Sequence, residues 1–249
     1  RTVSDVAICL GAITGIDSAD SKTLTSAGNS KNDYTQFLKK DGLKGKRIGL
    51  LRKSMGFHAK VDTLMARAIE VLKKQGAEIV EVDLGIDPQA NGNSFQVLLY
   101  EFKDGLNAYF ARLGEKAPVK NIQELIEFNK RDSVELLYFD QKLLEMAQEK
   151  GDLQSKEYLE ALAFMQKATR ENGIDKVMTE NKLDAFVAPT GSPAWKTDLI
   201  NGDHFLGGSS SPAAISGYPS ITVPMGFVDE LPVGVSFFGS NLSQQNIDC

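Results

Sequence analysis

Across 249 residues, 42% are hydrophobic, 24% are charged and the net charge is −5. That length buries a real core in one large domain or two small ones, and the mild, dispersed charge argues against a nucleic-acid or anionic-membrane surface. No apolar run approaches the ~20 residues of a membrane helix, Cys9 and Cys249 are too few for a disulfide framework and point to a reducing compartment, the cytoplasm, and His58 and His204 stand in no ligand-spaced cluster, so no metal is expected.

The chain opens on a helix pattern: Val3, Val6, Ala7, Leu10 and Ile13 recur at helical spacing, with Thr2 or Ser4 as cap and Gly15 as stop. An opening inside an element, with Arg1 in place of Met and no signal segment, reads as a piece of a longer chain. The far end reads the same way, where the strand-like VGVSFFG is followed by a short polar tail, NLSQQNIDC. Residues 17–41 are polar and read as a surface connection. RIGLL at 47–51 reads as a buried strand. Residues 61–75 read as an amphipathic helix, with Leu64, Ala68, Val71 and Leu72 on one side and Gly76 as stop. AEIVEVDL at 77–84 alternates like a strand whose Glu78 and Glu81 face water. Strand, crossover helix and strand predict a parallel pair.

Helical patterns fill about 94–181. Leu98, Leu99 and Phe102 begin one helix; Ile122, Leu125, Ile126 and Phe128 belong to a second. Leu136, Leu137, Phe139, Leu143, Leu144 and Met146 mark a third. Leu159, Leu162, Phe164, Met165 and Ala168 mark a fourth that runs on through Val177. This block reads either as a separate domain or as an insertion covering a sheet. Strand patterns return at 185–188, closing at Pro189, and again in ITVP (221–224) and VGVSFF (233–238). The segment between holds a small-residue helix pattern at 212–216. This order predicts an α/β fold with a mixed sheet, some of whose edges the chain itself does not supply.

Residues 189–224, PTGSPAWKTDLINGDHFLGGSSSPAAISGYPSITVP, carry the densest chemistry. They follow the C-terminal end of a strand, where ligands of open α/β sheets bind. Glycines beside serines let backbone N–H groups approach a ligand, and Pro212 suits the start of a helix. Each feature also has a plainer reading. A Gly/Ser loop is usually only a loop, and Trp195 suits packing better than a substrate platform. A nucleophilic serine needs a positioned base; His204 lies five residues before Ser209, and no GxSxG elbow is present.

The motifs LDAFVAPTGSPAW and GGSSSPAAISGYPSITVPMGFVDELPVGVSFFGS resemble the amidase-signature family. So do the opening RTVSDVAICLGAITGID and LKGKRIGLL with its following helix and strand. The details are closer to the bacterial aryl acylamidase and peptide amidase branch than to the glutamyl-tRNA amidotransferases. The resemblance implies an α/β/α sandwich of the amidase-signature type, here partial, with the helical block inserted and residues 1–249 forming the C-terminal portion of one amidase domain. It also implies hydrolysis of a linear amide by a Ser–cis-Ser–Lys triad, without metal or cofactor. The triad of that family lies upstream of the position matching Arg1, so no catalytic residue carries over and Ser209, Ser210 and Ser211 are not assigned as nucleophile. The segments 189–194 and 207–212 are expected beside the cleft, with Thr190, Trp195, Ser209 and Ser210 lining the substrate pocket, and Tyr218 and Pro219 are expected to support the strand that follows. The expected partner is a small-molecule amide in the full-length enzyme, with no nucleic acid and no membrane. A non-catalytic small-molecule-binding module and a non-functional gene fragment that self-associates through exposed sheet surface remain as alternatives.

Overall fold

The computed structural model describes residues 2–240; Arg1, Cys249 and the rest of the polar tail lie outside the described residues. The described residues form two compact units. One takes the residues up to Leu84, Ile174–Lys196 and those from Asp203 on; the other takes Gly85–Gly173 and Thr197–Gly202.

The first unit opens with α1 (Val3–Ile13), started by a capping box. Thr2 Oγ1 accepts from the Asp5 N–H at 3.1 Å, and Asp5 Oδ2 accepts from the Thr2 N–H at 2.8 Å. The helix closes on Thr14, whose N–H reaches the Leu10 carbonyl, so the expected stop at Gly15 falls one residue late. Only Ala7 of α1 is buried; Val6, Ile8, Leu10 and Ile13 are exposed. The polar stretch after it forms short turns with no buried residue in either 3-10 segment.

The unit centres on five strands in the order β2-β1-β3-β5-β4: β1 (Arg47–Leu51), β2 (Glu78–Val82), β3 (Ala185–Pro189), β4 (Ser220–Val228) and β5 (Leu231–Phe238). β2 and β3 run parallel to β1, whereas β5 runs antiparallel to both β3 and β4, so the sheet is mixed as the sequence predicts. Helix α2 (Ala59–Lys74) crosses from β1 to β2 and ends at Gly76, whose φ of +95° suits glycine. Its buried stripe is Val61, Met65, Ile69 and Leu72, which shares only Leu72 with the set read from the sequence: Val71 is 57% exposed. Positions 64, 68 and 71 lie one residue, or about 100°, round the helix from the true seam.

Period-two alternation sorts the strands. Ile48, Leu50, Ala185, Val187, Val235 and Phe237 pack under α2. Phe186 and Phe238 occupy the other face, ring centroids 5.2 Å apart. Glu78 and Glu81 are exposed and pair with Arg47 and Arg52. β4 and β5 extend past the short apolar runs, joined through Asp229 with φ +54° and irregular at Pro224/Gly226.

The second unit is helical: α3 (Gln89–Leu113), α4 (Ile122–Arg131), α5 (Lys142–Gln148) and α6 (Lys156–Thr169). Leu99, Ile122, Ile126 and Ala147 form one core. The expected third helix is halved. Asp132 Oδ1 accepts from the Val134 and Glu135 N–H groups, 2.8 and 3.2 Å, and this local turn competes with helix after α4. Leu136, Leu137 and Phe139 therefore sit in an exposed turn. The fourth helix is also interrupted: a π-helical turn, Arg170–Ile174, separates α6 from α7 (Asp175–Asn181). Among the described residues, no helix is long and apolar enough to cross a membrane.

Candidate functional site

The ladder of β3 continues one residue beyond Pro189, because the Thr190 N–H donates to the Gly234 carbonyl at 2.9 Å. The chain then forms a short two-stranded arm. Gly191 pairs with Gly208, Ser209 N–H donates to the Thr190 carbonyl at 3.2 Å, and Ser192 N–H donates to the Gly207 carbonyl at 3.3 Å. This pattern makes Gly191 and Gly208 the closely spaced, non-hydrogen-bonded pair. A Cβ on Gly208 would lie 3.0 Å from the Thr190 carbonyl oxygen, so a side chain there would crowd the backbone.

Alternation points Thr190 to the sheet face opposite α2, where two neighbouring strands also offer hydroxyls. Thr190 Oγ1 lies 2.7 Å from Ser236 Oγ, and Ser236 Oγ lies 2.9 Å from Thr222 Oγ1. Ser236 is buried, Thr190 partly so, and Thr222 is exposed. Gly234 leaves room for this row: a Cβ there would fall 2.6 Å from Thr222 Cγ2 and 2.9 Å from Thr190 Oγ1. Beside the row, Ser209 is 3% exposed, yet its hydroxyl and that of Ser192 are sealed from solvent without a hydrogen-bond partner in the protein. No base is therefore hydrogen-bonded to Ser209 Oγ.

Thr190 and Ser209 thus meet in one place. Ser210 does not join them: it is exposed and precedes α8 (Ser211–Ser216) without a side-chain cap. Trp195 lies farther along the loop at 40% exposure. Its Nε1 donates to Asp203 at 3.1 Å, and its ring meets Phe205 edge-on at 6.1 Å. Farther along the chain, Asp198 accepts from the Asn201 and Ile200 N–H groups at 2.9 Å each, and those bonds hold its carboxyl below the usual carboxylate range. α8 ends at Gly217 with φ +70°, and Tyr218 then donates to Asp175 at 2.7 Å.

Sequence reasoning missed Ser192, Thr222 and Ser236. A single hydroxyl in an apolar strand, such as Ser236 in VGVSFF, was the available signal. A groove of about 440 Å³ lies elsewhere, in the helical unit, lined by residues including Leu136, Tyr138, Phe139 and Gln141. It is open and has none of the candidate residues in its wall. Among the described residues, no group of three or more His, Cys, Asp or Glu side chains is placed to hold a metal ion.

The amidase family model matches residues 1–247. The chain belongs to the amidase-signature family. The native peptide amidase from Stenotrophomonas maltophilia superposes with a TM-score of 0.90 at 38% identity, covering 100% of this chain and 50% of that one. A probable amidase of Arabidopsis thaliana is 34% identical over 99% of this chain and 45% of its own length. An amidase family protein from Bacillus anthracis superposes with a TM-score of 0.77 at 30% identity, covering 100% of this chain and 45% of that one. This amidase-family chain therefore spans about half the length of the relatives it matches.

Proposed function

We propose that this chain is part of an amidohydrolase that cleaves a linear amide bond, and that it supplies scaffold and part of the substrate pocket but not the triad. The carrying observation is the match over the whole of this chain to half of a peptide amidase. On this reading, residues 1–249 are the C-terminal portion of one amidase domain, and the helical block of about 94–181 is an insertion within it. The Ser–cis-Ser–Lys triad comes from polypeptide outside these residues. There the lysine draws the proton of the nucleophilic serine through the middle serine, the serine attacks the carbonyl, the C–N bond breaks as the amine leaves with that proton, and water then hydrolyses the acyl-serine to the acid and restores the free serine. Within this chain, the arm of Thr190 and Ser209 forms one wall of the pocket, with Trp195 and Ser210 nearer its rim. The absence of a bonded base at Ser209 supports a binding role for that serine rather than a nucleophilic one. A small-molecule amide is the partner, and the cytoplasm is the compartment that suits an exposed free thiol such as Cys9.

The test is hydrolysis of an aryl anilide and of a peptide amide by the purified chain, alone and mixed with the first half of the Stenotrophomonas maltophilia peptide amidase. The expected result is no turnover alone and turnover in the mixture. Turnover by the chain alone that Ser209→Ala abolishes would overturn the proposal.

A further inference from the structure

We infer that Tyr218 and Asp175 are positioning residues for the arm of Thr190 and Ser209, and that the bond between them sets how this arm meets substrate. This rests on the pocket reading above and deepens it, because neither residue lies in the arm itself. The Tyr218 hydroxyl donates to Asp175 Oδ2 at 2.7 Å, across 43 positions of sequence, and the contact is partly buried. A hydroxyl held by a carboxylate is among the stronger hydrogen bonds a protein makes.

The two residues stand at the far ends of the segments that build the arm. Asp175 opens α7; the chain then turns left-handed at Lys182, with φ +53°, and enters β3, whose ladder ends on Thr190. On the other side, Ser209 passes straight into α8, where the Ser210 carbonyl accepts the Ala214 N–H at 3.0 Å. α8 stops at Gly217, and the Tyr218 N–H donates back to the Ala213 carbonyl at 3.0 Å. The circuit is thus closed at both ends: by Ser209 on Thr190 at the arm, and by Tyr218 on Asp175 behind it.

The two closures carry unequal loads. A helix of six residues is far too short to keep its place by its own backbone bonds. α8 also packs through small side chains, since its buried residues are Ala213 and Ser216. α7 is anchored by larger ones: Ile174 at its cap, Val177 and Met178 are all buried. Tyr218 therefore ties a lightly held helix to a firmly held one. The arm cannot do this instead, because its two bonds, 3.2 and 3.3 Å, sit at the long end of the normal range. If the hydroxyl bond is lost, α8 can slide along α7, and Ser209 moves with it because no loop separates the two.

The experiment is amide hydrogen exchange on the full chain carrying Tyr218→Phe, Asp175→Ala or Asp175→Asn, with anilide kinetics of each in the mixture with the first half of the Stenotrophomonas maltophilia peptide amidase. Tyr218→Phe and Asp175→Ala should each speed exchange of the Ser209 and Ser192 amides roughly tenfold, the worth of one such bond in local opening. The Glu78 amide, which donates to the Lys46 carbonyl at 2.8 Å in the sheet, should keep its rate. Both substitutions together should do no more than either alone, because they remove one shared bond. In the mixture, KM should rise roughly fivefold with kcat within about twofold, the mark of a displaced binding wall. Asp175→Asn keeps an acceptor for the hydroxyl and should recover part of both effects. Unchanged exchange at Ser209 in Tyr218→Phe would overturn the inference. So would equal acceleration at Glu78, the signature of a bond that serves global stability alone. Turnover in the mixture with KM unmoved by Tyr218→Phe removes the inference and leaves the proposed function; a mixture without turnover removes the pocket reading, and exchange at the arm then decides the coupling by itself.

Discussion

Glycine and hydroxyl side chains decide the geometry at the end of β3. Gly234 faces Thr190 and Thr222, and an added methyl would meet their Cγ2 and Oγ1 atoms at 2.6–2.9 Å and the Val223 carbonyl at 3.2 Å. Gly234→Ala should therefore cost about 1–3 kcal/mol through overpacking, read as a lower urea midpoint at unchanged slope. In the helical unit, the buried phenol of Tyr158 donates to Glu101 at 2.9 Å. Burial first, then the Glu101 contact, push its pKa up from 10.0 to about 12. The folded value lies above the unfolded one, so the neutral phenol stabilises the fold below pH 10, and that contribution is lost as pH rises toward 12. Tyr158→Phe should remove this alkaline slope, a difference of up to about 2 kcal/mol that paired unfolding titrations at pH 9 and pH 12 would reveal. At this scale the sequence showed only part of the candidate site. Thr190 and Ser209 were legible because a Gly/Ser loop follows a strand end. Ser236 was not: its contact with Thr190 spans 46 positions, and only the β3–β5 register creates it.

Secondary elements were legible where one physical signal acted alone. The β1–α2–β2 unit was readable because a strand, a helix and a strand each carry a clean period, and the observed parallel register follows. Apart from Leu72, the seam of α2 was read one residue out, since Leu64, Ala68 and Val71 are apolar too; only packing against the sheet selects Val61, Met65 and Ile69 beside Leu72. This choice has a direct consequence. Met65→Ala, at a fully buried position, should destabilise by about 2–5 kcal/mol, whereas Val71→Ala, at 57% exposure, should change stability by no more than about 0.5 kcal/mol. Equal effects in chemical denaturation would reject the seam. The expected helix over 136–146 formed only in its second half, as α5, and its first half failed for a different reason. Its apolar residues keep helical spacing, yet the Asp132 side chain caps the two N–H groups at 134 and 135 and turns the chain before α5 begins.

On the scale of the whole molecule, apolar surface is left uncovered. α1 has a single buried residue, while Ile8 is 62% and Ile13 75% exposed, and the turn after α4 exposes Leu137, Tyr138 and Phe139 at 62–65%. A helix this apolar on every side is normally buried, and contiguous patches of this kind mark interaction surfaces or association. The chain by itself should therefore self-associate, with sedimentation velocity showing larger species as concentration rises. Replacing Ile8 and Ile13 together by Gln should shift the distribution toward monomer while circular dichroism stays unchanged, because neither side chain contributes to a core. The proposed role adds a second arm. If α1 meets the remaining part of an amidase domain, the first half of the peptide amidase should compete with self-association and yield a mixed complex, and the double Gln variant should weaken both. A chain that stays monomeric up to its solubility limit would show that its exposed apolar residues are tolerated by water and would remove α1 as the docking helix. A mixed complex unaffected by the double variant would move the contact to another face.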